Sequence, residues 1–235
     1  MLDTILKTIR EAAESQVFVH ALWVEGSVAQ GESDEYSDLD VWLEVDPDKV
    51  DETYKVVKNA LATIGPINLE YEVHKDNDQR HIIYHIEGTS EFLTIDVNVQ
   101  PFPGTSGFDE GVDIINIIFN KDAKFKFYKS EPKVFNEKAS KQRMLDYYRA
   151  MRPNVLKNIR RNKPIEAKIY YDNIVVMAIK YLRRKNQLDA KLSYNHKHLH
   201  RDLPDQAQKF EYFIFVQPGE LEAKLGELAE WLKNL

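Results

Sequence analysis

Residues 23–43 read WVEGSVAQGESDEYSDLDVWL, and the two aspartates near the end of this stretch are its most telling feature. Alternation along a strand would place Leu39 and Val41 on one face and Asp38 and Asp40 on the other. A half-buried strand rarely carries two carboxylates on one face unless a cation lies between them. Mg²⁺ takes oxygen ligands, usually one or two carboxylates together with substrate phosphates. The stretch therefore predicts a divalent-cation site that also receives a phosphate.

A Gly-Ser pair lies near the start of the same stretch. Gly26 and Ser27 follow the apolar run 17–24, which predicts a buried strand that ends just before them. Glycine allows the backbone to approach a ligand closely, so the N–H groups at the end of that strand can meet a phosphate. We expect Gly26 and Ser27 to hold a phosphate beside the cation.

A third carboxylate is predicted further along the chain. Residues 92–99 read FLTIDVNV and alternate in polarity, which places Asp96 on the polar face of an otherwise apolar strand. A site with two metal ions clamps the attacking and leaving oxygens of a displacement and needs about three carboxylates. If this strand neighbours strand 38–45, all three acids converge. Asp96 would then act as a metal ligand or as the general base. The alternative is that Asp96 has only a structural role, in a turn or in a salt bridge.

Size and composition indicate an ordinary globular protein. The chain has 235 residues, 43% hydrophobic and 30% charged, enough for one large domain or two modest ones. No apolar run approaches the roughly 20 residues that cross a membrane, and the N-terminus lacks the basic and apolar regions of a signal peptide. The absence of cysteine excludes disulfides, thiolate metal sites and cysteine nucleophiles. We expect a cytoplasmic protein.

The charge is divided unevenly along the chain. Residues 1–137 contain 12 Lys and Arg against 27 Asp and Glu, a net charge of −15, whereas residues 138–235 contain 20 against 11, a net charge of +9. Lysine-rich and arginine-rich helices with solvated faces would explain this division. An acidic half that holds metal and a basic half that faces a triphosphate would explain it equally. The change predicts a catalytic domain at 1–137 and a second domain, for substrate or nucleotide, at 138–235.

Periodicity predicts strands with interspersed helices in the first half and helices alone in the second, as in an α/β catalytic domain followed by a helical domain. In the first half we expect a helix at 2–15, strands at 17–24 and 38–45, a helix from an Asp46 N-cap to about residue 64, strands at 67–74, 81–87 and 92–99, and a hairpin at 114–119 and 124–128. In the second half we expect helices at 136–160, 165–186, 195–202, 205–215 and 218–234.

The combination of Gly26-Ser27 with Tyr36-Ser37-Asp38-Leu39-Asp40 resembles the signature of the DNA polymerase β-like nucleotidyltransferase superfamily. Within it, the chain is most similar to antibiotic nucleotidyltransferases, which adenylylate aminoglycosides or lincosamides. The resemblance implies a fold of class α+β (α/β), with a mixed β-sheet flanked by helices and followed by an all-helical C-terminal domain. It implies that Asp38 and Asp40 bind Mg²⁺, that Asp96 completes the site and that Gly26 and Ser27 hold the triphosphate.

The resemblance is weaker elsewhere. In many relatives the third acid is a glutamate in a Leu-Glu-Val context, whereas residues 93–97 of this chain carry an aspartate, Asp96. The role of Asp96 is therefore open: it could be a metal ligand, the general base or both. Residues 198–204 look like the basic helix ending in Leu-Pro that occurs in the helical domain of resistance-type enzymes.

Further candidates surround this signature. Ser37 is a candidate nucleotide-binding residue, and Lys180 could reach the β- and γ-phosphates or be ordinary solvated charge. His196 and His200 have the i, i+4 spacing of metal ligands, but no acidic residue completes a zinc motif, which favours surface or cap histidines. The pair Tyr170 and Tyr171 could line an acceptor pocket, although aromatics at helical spacing usually pack in a core.

The sequence thus predicts a Mg²⁺-dependent enzyme that moves a nucleoside monophosphate, AMP from ATP, onto a hydroxyl of a small molecule such as an aminoglycoside- or lincosamide-like antibiotic. Its partners would be a nucleoside triphosphate and that acceptor, without membrane or nucleic acid, in a monomer or homodimer. Two alternatives stay open: transfer to a protein or RNA hydroxyl, and a regulatory module that binds nucleotide without catalysis.

Overall fold

A computed structural model describes residues 1–75, 79–104, 114–126, 135–188 and 196–235. The chain divides into two compact units, Met1–Ser130 and Glu131–Leu235. Over the residues that the structure describes, no helix combines the length and the apolar character needed to span a membrane.

The first unit is built on a six-stranded mixed sheet with the order β3-β4-β5-β2-β1-β6. Its strands are β1 Val19–Val24, β2 Leu39–Val45, β3 Ile67–Lys75, β4 Arg80–Ile86, β5 Ile95–Pro101 and β6 Asn116–Asn120. Its helices are α1 Leu2–Glu14, α2 Gly26–Gln30 and α3 Val50–Ala62. Strands β2 and β5 run parallel, whereas β1–β2, β1–β6, β3–β4 and β4–β5 are antiparallel. The predicted fold class is confirmed.

One face of this sheet packs against α1 and α3. The amphipathic helix α1 buries Ile5 and Ile9 completely, and α3 contributes Val57 and Leu61 to the same core. Each such side chain stabilises the fold by about 1.5–3 kcal/mol relative to leaving it exposed. Because strand residues alternate, the apolar positions of β2 and β5 point into this core and their polar positions point to the opposite face. That opposite face carries the candidate site.

Two local expectations differ from the structure. The side chain of Asp46 does not cap a helix; its Oδ1 lies 2.8 Å from Nε2 of the buried His20, and a 3₁₀ turn at Pro47–Lys49 precedes α3. The expected hairpin is replaced by pairing of β6 with β1. The amide of Asn120 bonds both backbone groups of Phe125, which turns the chain away after β6. Residues 127 and 128 of that hairpin lie outside the described residues.

The second unit is helical throughout its described part. Its helices are α4 Glu137–Arg160, α5 Pro164–Lys185, α6 Leu199–Asp202, α7 Pro204–Ile214 and α8 Leu221–Asn234. The side chain of Asn136 caps α4 by accepting the N–H of Ala139. Tyr171 is fully buried in the core of this unit, whereas Tyr170 is partly buried against it. The helices predicted at 136–160, 165–186 and 205–215 are found with shifts of one residue at their ends, and the one predicted at 218–234 begins with a 3₁₀ turn at Pro218–Glu220. The helix predicted at 195–202 is shortened to α6, because residues 196–198 form a turn; residue 195 falls outside the described residues.

Candidate metal and phosphate site

The register of two parallel strands brings the three predicted acids together. Asp40 of β2 lies directly opposite Asp96 of β5, and Asp38 immediately precedes β2. Ligand oxygens of Asp38, Asp40 and Asp96 all lie within 4.8 Å of one another. Strand spacing explains this closeness, because opposite residues on the same face of neighbouring strands are about 5 Å apart. We refer to these three residues as the acidic triad.

The acidic triad has the chemistry of a site for a hard divalent cation. Asp40 and Asp96 are half-buried and Asp38 is exposed, so the group is partly removed from water but open on one side. Carboxylates this close repel one another unless a cation lies among them. All donors are oxygen atoms, which are the ligands that small divalent cations such as Mg²⁺ prefer. The triad could therefore hold a metal ion.

Gly26 stands against this triad at a position that excludes a side chain. Its φ of 66° is in the left-handed region, and a Cβ at this position would collide with the Asp40 carboxylate. The backbone N–H of Glu25 donates to the Asp40 carbonyl at 3.1 Å and thereby fixes the turn beside β2. Glycine is thus required here both by the backbone angle and by the close approach to a triad carboxylate.

The next residue offers a polar atom without a partner. The Oγ of Ser27 is buried and has no hydrogen-bond partner among the residues described. Leaving a buried hydroxyl unpaired costs about 1–3 kcal/mol, so such a group is suited to bind a ligand. The predicted contact of Ser27 with the triphosphate stays a prediction.

Ser37 has a local role in the structure. Its Oγ donates to Oδ1 of Asp34 and accepts the Asp34 backbone N–H, each at 2.9 Å. These bonds shape the turn that leads into Asp38. Its predicted contact with the nucleotide stays a prediction.

A histidine that sequence reasoning missed holds the third acid. The Nε2 of His81, on β4, lies 2.9 Å from Oδ1 of Asp96, and the side chains are only 20% and 16% exposed. The hydroxyl of Thr94 donates to the other oxygen of Asp96 at 3.3 Å. Together these contacts orient the Asp96 carboxylate. The alternating polar positions His81 and His85 in β4 signalled a polar face, but only the strand register reveals the contact.

Trp42 lies on β2 of the first unit, whereas the other predicted residues, Lys180, His196 and His200, belong to the second unit. Trp42 stacks on Trp23 with ring centroids 5.9 Å apart and donates its indole N–H to Glu25 at 3.1 Å, so its ring is held in place. Lys180 is half-buried on α5 of the second unit. His196 and His200 are both exposed, and the Nε2 of His200 lies 3.5 Å from Oε1 of Glu211.

The mixed sheet thus presents three carboxylates beside a glycine with a positive φ. The chain belongs to the nucleotidyltransferase domain family, which matches residues 4–130. No curated protein matches the chain in sequence.

Solved structures of low identity are also similar over most of the chain. JHP933 from Helicobacter pylori is 11% identical with a TM-score of 0.32, over 99% of this chain and 90% of that chain. Spectinomycin adenyltransferase AAD(9) from Enterococcus faecialis, crystallised with ATP and spectinomycin, is 10% identical with a TM-score of 0.33, over 98% of this chain and 97% of that chain.

Proposed function

We propose that this nucleotidyltransferase is Mg²⁺-dependent and moves AMP from ATP onto a hydroxyl of a small molecule, such as an aminoglycoside- or lincosamide-like compound. The observation that carries the proposal is the convergence of Asp38, Asp40 and Asp96 within 4.8 Å on the polar face of the sheet. The collision that a Cβ at residue 26 would make with Asp40 adds support, because it places the Gly-Ser turn against the same carboxylates.

Each of the site residues would have its own role in binding or in the transfer step. Asp38 and Asp40 hold Mg²⁺, with Asp96 as a third ligand, a general base or both. Bound Mg²⁺ would polarise the α-phosphate and neutralise the departing pyrophosphate. The backbone at Gly26 and the unpaired hydroxyl of Ser27 hold the triphosphate. The acceptor oxygen forms a bond to the α-phosphorus while the bond to the β-phosphate oxygen breaks, and the acceptor proton passes to Asp96 or to water.

We further propose that residues 1–137 form the catalytic domain and residues 138–235 a helical domain that binds substrate or nucleotide. Lys180 on α5 would contribute a cation for the phosphates. The net charges of −15 and +9 in these two segments support different partners for them.

The proposal is tested by pyrophosphate release from ATP and Mg²⁺ against a panel of aminoglycosides, lincosamides and cell metabolites. Calorimetry of ATP binding with and without Mg²⁺ accompanies the screen. We expect metal-dependent binding, and release that rises with one class of acceptor. Metal-independent ATP binding without turnover would contradict the proposal and favour a regulatory module.

Ser27→Ala is expected to separate stability from nucleotide binding. Removing the unpaired hydroxyl relieves a buried polar group, so the free protein should be as stable as the wild type or more stable. The KM for ATP should rise about tenfold because one hydrogen bond to charged phosphate is lost, about 1.4 kcal/mol. Thermal melting and ATP titrations measure the two effects. A less stable variant with unchanged KM would contradict this role of Ser27.

His81→Phe is expected to weaken divalent-metal binding about tenfold or more, the usual cost of removing a group that orients a metal ligand. Mn²⁺ titration followed by electron paramagnetic resonance measures the affinity without reference to turnover. His81→Gln should retain most of the affinity, because its amide N–H can still donate to Asp96. Equal Mn²⁺ affinity in wild type and His81→Phe would show that His81 does not position the third acid.

A further inference from the structure

Strand order separates a donor side from an acceptor side of the acidic triad. Ser27 follows β1, which neighbours β2, whereas β4 and β3 lie on the other side of β5. In phosphoryl transfer the attacking and leaving oxygens lie roughly in line with phosphorus between them. If the Gly-Ser turn holds the triphosphate, as the proposed function states, in-line attack favours an acceptor that approaches from the side of β5, where β4 and β3 follow in the sheet.

One row of residues runs across these strands from the triad to the edge of the sheet. Asp40 lies opposite Asp96, Asp96 opposite Ile83, and Ile83 opposite Tyr71. Directly opposite residues share a face, so all four side chains project from the face that carries the triad. Two strand spacings separate Tyr71 from Asp96, which is about 10 Å.

The edge strand presents apolar side chains to solvent on this face. Tyr71 is 59% exposed and Leu69 is 43% exposed, although both lie within strand β3 and pair with β4. Leu69 pairs with His85 and Tyr71 with Ile83, so both share the face of the triad. Ile83 is half-buried between them and Asp96. We call Leu69, Tyr71 and Ile83 the acceptor platform; exposed apolar groups that continue directly from a polar site are typical of substrate binding.

We propose that the acceptor platform binds the ring of a polyhydroxylated cyclic acceptor, such as a sugar or a cyclitol. A saturated ring of this kind presents an apolar C–H face and hydroxyl groups at its rim in the same molecule. Its C–H face packs on Tyr71 and Leu69, while one rim hydroxyl reaches Asp96. This inference rests on the proposed function, since it names the surface that selects the acceptor for that reaction.

Variants of Tyr71 test this surface without disturbing the core. Tyr71→Ala removes an exposed ring and Tyr71→Phe keeps the ring without the hydroxyl. Glu70→Ala is the matched control, because Glu70 is the adjacent residue on the opposite face of β3, where its carboxylate forms an ion pair with Lys58. Changes at such exposed positions usually alter stability by less than about 0.5 kcal/mol.

The acceptors assayed are kanamycin, spectinomycin and lincomycin as ring compounds and sorbitol as an acyclic polyol. For Tyr71→Ala we expect the KM of the ring acceptor to rise about tenfold with kcat largely retained, as when binding common to ground state and transition state is lost. The dissociation constant of ATP with Mg²⁺, measured by calorimetry, should not change. Tyr71→Phe and Glu70→Ala should resemble the wild type.

Four outcomes would overturn the inference. Turnover by Tyr71→Ala with an unchanged acceptor KM would show that the platform does not bind the acceptor. If AMP were transferred to sorbitol as efficiently as to the ring compounds, the acceptor would not need to be cyclic. If ATP bound in a Mg²⁺-dependent manner but none of the four compounds were modified, the proposal of a cyclic acceptor would likewise be refuted. Either result would leave the proposed nucleotide chemistry unaffected. Absence of Mg²⁺-dependent ATP binding would refute the proposed function, and the acceptor platform with it.

Discussion

Asp40→Asn is expected to lower the rate of nucleotidyl transfer about a thousandfold or more while the protein stays folded. Asp40 lies opposite Asp96, and its carboxylate is the group that a Cβ at residue 26 would meet. Asparagine has nearly the same size but removes the charge that a divalent cation requires. Metal ions stabilise such transition states by several kcal/mol, and about 1.4 kcal/mol corresponds to each factor of ten.

Two further measurements make this expectation specific. The Mn²⁺ affinity of Asp40→Asn should fall together with its rate, whereas the melting temperature without metal should not decrease, because one of three mutually repelling carboxylates is gone. Asp48→Asn is the control, since Asp48 lies in the 3₁₀ turn beyond the other end of β2. An Asp40→Asn enzyme that transfers at the wild-type rate would remove Asp40 from the mechanism.

Gly26→Ala is expected to lower the rate about a hundredfold or more, with the loss arising from displacement of a carboxylate. The added Cβ would collide with the carboxylate of Asp40, and the φ of 66° is unfavourable for alanine. A misplaced metal ligand shifts the reacting atoms, and a displacement of about 1 Å can cost about a hundredfold in rate. Steady-state kinetics and Mn²⁺ titration should both show the loss.

Gly31→Ala separates the effect of backbone strain from the effect of displacing the Asp40 carboxylate. Gly31 also has a positive φ, 70°, but a Cβ there meets nothing within 4 Å. This variant should therefore lose about 1–2 kcal/mol of stability from backbone strain alone and keep its rate. If Gly26→Ala and Gly31→Ala were equally active, the close approach of residue 26 to Asp40 would have no part in catalysis.

The first two acids of the site were predictable from local pattern. Alternation placed Asp38 and Asp40 on one face, and the same rule placed Asp96 on the polar face of its strand. Their convergence depends on β2 and β5 being parallel neighbours in a register that pairs Asp40 with Asp96. These residues are far apart in the chain, and alternation within a strand contains no information on which strand lies beside it.

The same reason explains what sequence reasoning missed. The contact of His81 with Asp96 and the row that leads to Tyr71 both depend on the pairing of β4 with its two neighbours. Asp46 had the residue type of an N-cap, but the buried His20 beside it provides a competing partner. Local preference fails at these positions because a long-range contact replaces the local one.

The helical unit was predictable in outline for a different reason. Amphipathic periodicity is a local property, so α4, α5, α7 and α8 follow from spacing alone. The role of Lys180 and the domain boundary at residue 137 depend on tertiary relations that spacing does not encode. Both stay predictions.

The most direct test of the central claim uses ATP labelled at the α- or the γ-phosphate, incubated with Mg²⁺ and an acceptor from the screen. The account predicts that α-label passes to the acceptor, that γ-label appears only in pyrophosphate, and that both products vanish in Asp40→Asn. Label on the acceptor from the γ-position, or α-label transfer that persists without divalent metal, would contradict nucleotidyl transfer by the acidic triad.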